Sequence, residues 1–160
     1  MVGGGHVENP TPETIEGLLQ AVHDPEIPSV SIVDLGMVGS VEMAGDVLNV
    51  SLLPTFVGCP AQRLIEAQVA ARLSKALPGY HIGVRFNLTE AWSSTRISEA
   101  GRKALRAAGI APPGRTLDEV ACPFCGSANA VLENLFASTS CRSLYYCKQC
   151  RNPFEAFKPL

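Results

Sequence analysis

No surplus of positive charge marks this sequence. Lys and Arg number 13 against 15 Asp and Glu, the net charge is −2, and the isoelectric point is near 5.9. The basic field that supplies non-specific nucleic-acid affinity is therefore missing, and nucleic acid is disfavoured as a partner. Nor does any apolar stretch reach the ~20 residues that a membrane helix needs, so no membrane partner is expected. The opening residues, Met1-Val2-Gly3-Gly4-Gly5-His6, have neither the charged start nor the apolar run of a secretory signal, which points to the cytoplasm. Motifs for nucleotide and acyl chemistry are absent too: there is no G-x-G-x-x-G, no Walker loop and no G-x-S-x-G elbow. His, Asp and Glu do not cluster in the facial pattern that activates oxygen at non-haem iron. These absences argue against an enzyme.

What is present suffices for a globular chain, since 46% of the 160 residues are apolar. Residues 1–9 are Gly-rich and read as a disordered lead-in. Thr11-Pro12 is an N-cap followed by proline in the first turn, and Ile15, Leu18, Leu19 and Val22 share one helical face to about Val22. Prolines 25 and 28 stop that helix and predict a structured loop over 23–28. Met37–Met43 and Val47–Leu53 read as an antiparallel hairpin turned at Ala44-Gly45-Asp46. A second helix opens at Gly58-Cys59-Pro60 and runs to about Ala76, and His81–Leu88 is a third strand beside the hairpin. A short helix over Ser98–Ala108 carries Arg102, Lys103 and Arg106 on what reads as a solvated face. The fold class expected is α+β: a small α-β-β-α-β domain over residues 10–108, a Pro/Gly linker over 109–118, and a C-terminal module over 119–160.

That module holds most of the cysteine. Cys122-Pro123-Phe124-Cys125 and Cys147-Lys148-Gln149-Cys150 are two C-x-x-C knuckles separated by 21 residues. Two knuckles complete a tetrahedron of sulfurs, which suits a structural zinc ion. Four thiolates also hold iron in other proteins, so spacing alone leaves zinc favoured over iron without deciding between them. Cys141 is left over, read as a strand residue of this zinc ribbon or as an alternative ligand or redox group. His23 and Trp92 are read as a helix-terminal histidine and a core residue.

Cys59 stands apart, where a strand gives way to a helix. A helix N-terminus favours thiolate over thiol and would make this sulfur a nucleophile or metal ligand. The same position also suits a small buried residue under the turn, and spacing does not separate the two readings.

The chain carries Asp24-Pro25-Glu26-Ile27-Pro28, then Ile32-Val33-Asp34-Leu35-Gly36, then Pro54-Thr55 and Gly58-Cys59-Pro60. This ordered set resembles the signature of small iron-sulfur assembly proteins of the PaaD/SufT type, over about residues 14–92. Gly101-Arg102, Gly109 to Pro113, the cysteine ribbon and the ending Asn152 to Lys158 are similar to its PaaD (PaaJ) branch, the phenylacetate-degradation proteins. The resemblance implies a non-enzymatic maturation factor for the phenylacetyl-CoA epoxidase, its client the iron-sulfur reductase component. The alternative is a structural or accessory subunit of that multicomponent oxygenase. The resemblance also implies an assembly site at Cys59 with Thr55 and Pro60, faced by Asp24 and Glu26, handling iron or a transient iron-sulfur cluster. One protein thiolate cannot complete a cluster, so a homodimer or the client would supply further ligands.

Overall fold

The computed structural model describes residues 10–160; the lead-in expected over residues 1–9 lies outside them. Helix α1 spans Pro12–Leu19, with the Thr11 hydroxyl accepting from the Thr14 amide. It ends about one turn earlier than its apolar periodicity predicts, because the chain turns at Gln20 so that the Val22 carbonyl accepts from Ile32. The proline segment after the helix does not form a plain loop. β1 (His23–Asp24) and β2 (Ile27–Ser31) pair antiparallel across Pro25-Glu26, which places Asp24 at the tip of a short hairpin.

β3 (Val38–Ala44) and β4 (Val47–Leu52) form the expected hairpin in register from Ala44↔Val47. α2 (Gln62–Ala76) crosses over, burying Ile65, Val69 and Leu73, and β5 (His81–Phe86) returns parallel to β4. The three-stranded sheet thus has the order β3-β4-β5, with α2 joining its parallel pair. β5 stops at Phe86, two residues short of the expected end, where the Asn87 side chain accepts from Thr89 and Leu88 turns outward.

The Ile32-to-Gly36 motif is an internal clasp. Asp34 accepts from the hydroxyls of Ser31 (2.8 Å) and Ser98 (2.6 Å), the latter the N-cap of α3 (Glu99–Ala107). Gly36 has φ +67°, and a Cβ there would run into Arg96, whose guanidinium donates to the carbonyls of Gly36 and Val38. Gly101 is equally constrained: a Cβ on it would sit 2.5 Å from the Asp34 carbonyl oxygen.

Past α3 the segment expected to be a linker is structured. β6 (Ile110–Ala111) pairs parallel with β9 (Pro153–Phe157), which pairs with β8 (Arg142–Cys147), and β8 with β7 (Ala130–Asn134). Arg102, expected on a solvated face, instead donates to the carbonyls of Ser94 and Pro113 and ties this segment down. Lys103 and Arg106 do not share that role, and Arg106 is exposed.

Two buried clusters result. The larger runs through both helices, the three-stranded sheet and α3, and it includes Phe157 from the ribbon's last strand. Phe157 is 2% exposed and its ring lies 5.8 Å from that of Trp92, whose indole donates to the Leu35 carbonyl. The smaller cluster holds seven residues, among them Cys122 and Cys147. Phe157→Ala is expected to cost about 3–5 kcal/mol, the usual range for emptying a buried aromatic site. Denaturant unfolding followed by Trp92 fluorescence checks this, and the loss should register in the N-terminal domain although the substitution lies in the ribbon.

Candidate functional site

The ribbon cysteines converge on one point. Sγ of Cys122 lies 3.6 Å from that of Cys150, Cys125 stands at the same distance from Cys147, and all four sulfurs fall within 4.8 Å of one another. A tetrahedron of sulfurs about 2.3 Å from a central zinc has edges of about 3.8 Å, so the donor set is close to the spacing such an ion needs. The knuckles are shaped by the backbone: Gly126, φ +75°, and Arg151, φ +60°, take the left-handed conformation just after each pair, with amides donating to the carbonyls of Cys122 and Cys147. When bound, the ion neutralises thiolate charge and cross-links the segment before β7 to the β8–β9 turn at one end of the sheet. No acid-base pair is needed for that role.

The second group lies where the two halves of the chain meet. Asp24, Glu26, Thr55, Cys59 and Pro60, the five residues singled out in the N-terminal domain, all line one cavity of about 240 Å³. Asp24 comes from the tip of the β1–β2 hairpin, is 8% exposed, and accepts from the Glu26 amide at 2.8 Å. Thr55 is buried, while Cys59 is half-buried. The turn carrying Cys59 is held by α2 itself: Gln62 donates its side-chain amide to the Val57 and Phe56 carbonyls, and the Cys59 amide donates to Phe56. His23 is exposed and lies off the cavity, and Trp92 is a core residue.

The electrostatics differ from the expectation of a thiolate stabilised by its helix. α2 proper begins at Gln62 behind an Ala61 cap, so Cys59 precedes it by a turn. Burial pushes the Cys59 thiol above its ordinary value, and the charges of Asp24, Cys141 and Glu26 add to the rise against the single opposing Ala61 amide. Asp24 is raised too, first by burial, with the amides of Glu26 and Ile27 opposing. A helix terminus lowers a thiol pKa only where its donors outweigh desolvation and nearby negative charge.

The amino-acid pattern did not assign the far wall. Phe136 to Ser140 and Cys141, from the turn before β8, line the same cavity as Cys59. Cys141 is not a strand residue; its sulfur lies 3.1 Å from the Thr139 hydroxyl. The available signal was arithmetic: five of six cysteines had a part, and the odd one faces the fifth.

Two measurements check this geometry. Stripping metal with a chelator is expected to unfold the ribbon, because its own buried cluster is small and two members are ligands; mass spectrometry of the native chain should show one ion before treatment. Iodoacetamide labelling of Cys59, read by peptide mass spectrometry with the ribbon metal in place, is expected to accelerate only above the ~8.5 of a free thiol. Maximal labelling at neutral pH would restore the low-pKa thiolate.

Known proteins place the chain. A family model described as iron-sulfur cluster assembly protein matches residues 12–85, and one described as PaaD zinc beta ribbon domain matches 111–158. An Escherichia coli K12 protein whose name makes it a component of a 1,2-phenylacetyl-CoA epoxidase is 37% identical over 156 residues, 93% of each chain. An Fe-S protein maturation auxiliary factor of Porphyromonas gingivalis is 33% identical over 92 residues, 56% of this chain and 85% of its own. The crystal structure of a domain of unknown function from Bacillus anthracis superposes with a TM-score of 0.54 at 32% identity, covering 58% of this chain and 89% of that one. With an assembly domain and a four-cysteine ribbon arranged in that order, the chain belongs to the PaaD branch of the iron-sulfur cluster assembly family.

Proposed function

We propose that this chain is a non-catalytic maturation factor that delivers iron or a nascent cluster to the iron-sulfur reductase component of a phenylacetyl-CoA epoxidase. The observation that carries the reading is the convergence of Cys59, Thr55, Asp24 and Glu26 on one cavity that remains open to a partner. A sulfur, a hydroxyl and two carboxylates suit iron more than they suit acid-base turnover. An open cavity with few ligands suits release, since a cluster needs four ligands and the client, or a second copy, must bring the remainder. Phe136, 61% exposed at the cavity wall, gives a client an apolar surface beside the ligands.

The ribbon is read as holding structural zinc, and its sheet as the scaffold that brings residues 136–141 over Cys59. No helix among the described residues is long and apolar enough to cross a membrane. A cytoplasmic site of action is part of the proposal.

The name carried by the Escherichia coli relative favours a second reading, a structural or accessory subunit of the oxygenase. Stoichiometric copurification with the active complex supports it. Undiminished activity of a complex matured with the protein and then freed of it supports the maturation factor.

The decisive experiment is Cys59→Ser in cells. Cluster occupancy of the reductase component, read by iron content and paramagnetic resonance, is expected to fall severalfold while the chain's zinc content and unfolding transition stay unchanged. Full occupancy would overturn the proposal.

A further inference from the structure

The ribbon holds one cysteine more than its tetrahedron uses, and the fold delivers it to the cavity of the assembly domain. Cys59 sits in the turn before α2, Asp24 at the tip of the β1–β2 hairpin and Cys141 in the turn before β8, and all three side chains line the same 240 Å³ space. The Cys141 turn is built rather than loose. Arg142, buried at the start of β8, donates to the Thr139 hydroxyl (2.8 Å) and to Glu155 (2.6 Å), Thr139 touches the Cys141 sulfur, and the Cys141 carbonyl accepts from the Lys158 amide. Ser138 fixes the same turn to Glu155 through both its amide and its hydroxyl. Three elements from two different parts of the sequence thus present two thiols and a buried carboxylate to one opening.

We infer that Cys141 is a second sulfur ligand of the assembly site, so that one ferrous ion is held by Cys59, Cys141 and the Asp24 carboxylate. The inference rests on the proposed handling of iron at Cys59 and extends it across the domain junction. Binding releases the two thiol protons to solvent, forms two iron–sulfur bonds and one iron–oxygen bond, and changes no oxidation state. Soft thiolates select the cation, and one carboxylate leaves coordination positions for the acceptor. Among the described residues only the four ribbon sulfurs already stand at mutual ligand spacing. The cavity trio is therefore wider than a finished site, and with the turn held by its hydrogen bonds it is rotation of the Cys59, Cys141 and Asp24 side chains that brings the ligands onto the ion. An incomplete site of this kind exchanges its ion readily, whereas the ribbon keeps its own.

Cobalt(II) added anaerobically to the full chain with zinc in the ribbon provides the probe, because its thiolate charge-transfer absorption scales with the number of sulfurs bound. Zinc content, followed by mass spectrometry, confirms that the ribbon stays occupied. One cobalt per chain is expected to bind. Cys59→Ser and Cys141→Ser are each expected to remove about half of that absorption and to weaken binding by more than the roughly 10–100-fold typical of disturbing an outer-shell partner. Thermal unfolding of both variants checks that the fold is intact. Unaltered absorption and affinity in Cys141→Ser, with loss in Cys59→Ser, overturns the role of Cys141 and leaves the Cys59 carrier standing. Absence of cobalt binding by the native chain also overturns this inference, while reductase occupancy in cells carrying Cys59→Ser decides the carrier separately.

Discussion

The seating of Phe157 against Trp92 is the contact on which the candidate site depends. Trp92 is fixed from the other side by its bond to the Leu35 carbonyl, at the end of the Asp34 clasp, so the ribbon's last strand is packed into the core of the N-terminal domain. Because β9 is paired with β8 along its length, anchoring Phe157 also anchors Arg142, its register partner, and with it the turn that carries Cys141. Remove that contact and the cavity loses its far wall. A close-packed interface transmits position in this way because neighbouring side chains have few alternative arrangements.

The motifs that identify the family divide into two physical kinds. Asp34 and Gly36 serve the fold: one carboxylate ties Ser31 to Ser98, and the glycine adopts a left-handed conformation pressed against Arg96. Asp24 caps the turn of the β1–β2 hairpin through the Glu26 amide, yet it and Cys59 both stand where burial disfavours their charged forms. That tension supports the proposed binding site.

Metal and hydrophobic burial share the work unequally along the chain. The N-terminal domain packs around an extended core, whereas the ribbon has a seven-residue cluster capped by sulfur ligands. The proposed ribbon ion would keep the sheet in shape, and the sheet places Cys141 and Phe136 at the cavity. In the proposed reading a structural metal serves the transfer site without entering its chemistry.

Much of this was legible in the residues themselves. The C-x-x-C pairs specified the four-sulfur centre because spacing fixes local knuckle geometry, and helices and strands followed from the period of their apolar residues. The family resemblance carried by the ordered motifs implied Asp24, Glu26, Thr55, Cys59 and Pro60 as one site. Tertiary structure alone decided three matters: that the β1–β2 hairpin forms at a proline-rich segment, that residues 110–111 join the ribbon sheet, and that Cys141 faces Cys59. It also reversed the expected ionisation of Cys59, since a thiol's pKa reflects everything packed around it, and burial outweighed one helix-end amide. Sequence records which groups are adjacent along the chain; which sulfurs share a cavity depends on contacts between segments far apart in it, as Cys59 and Cys141 are.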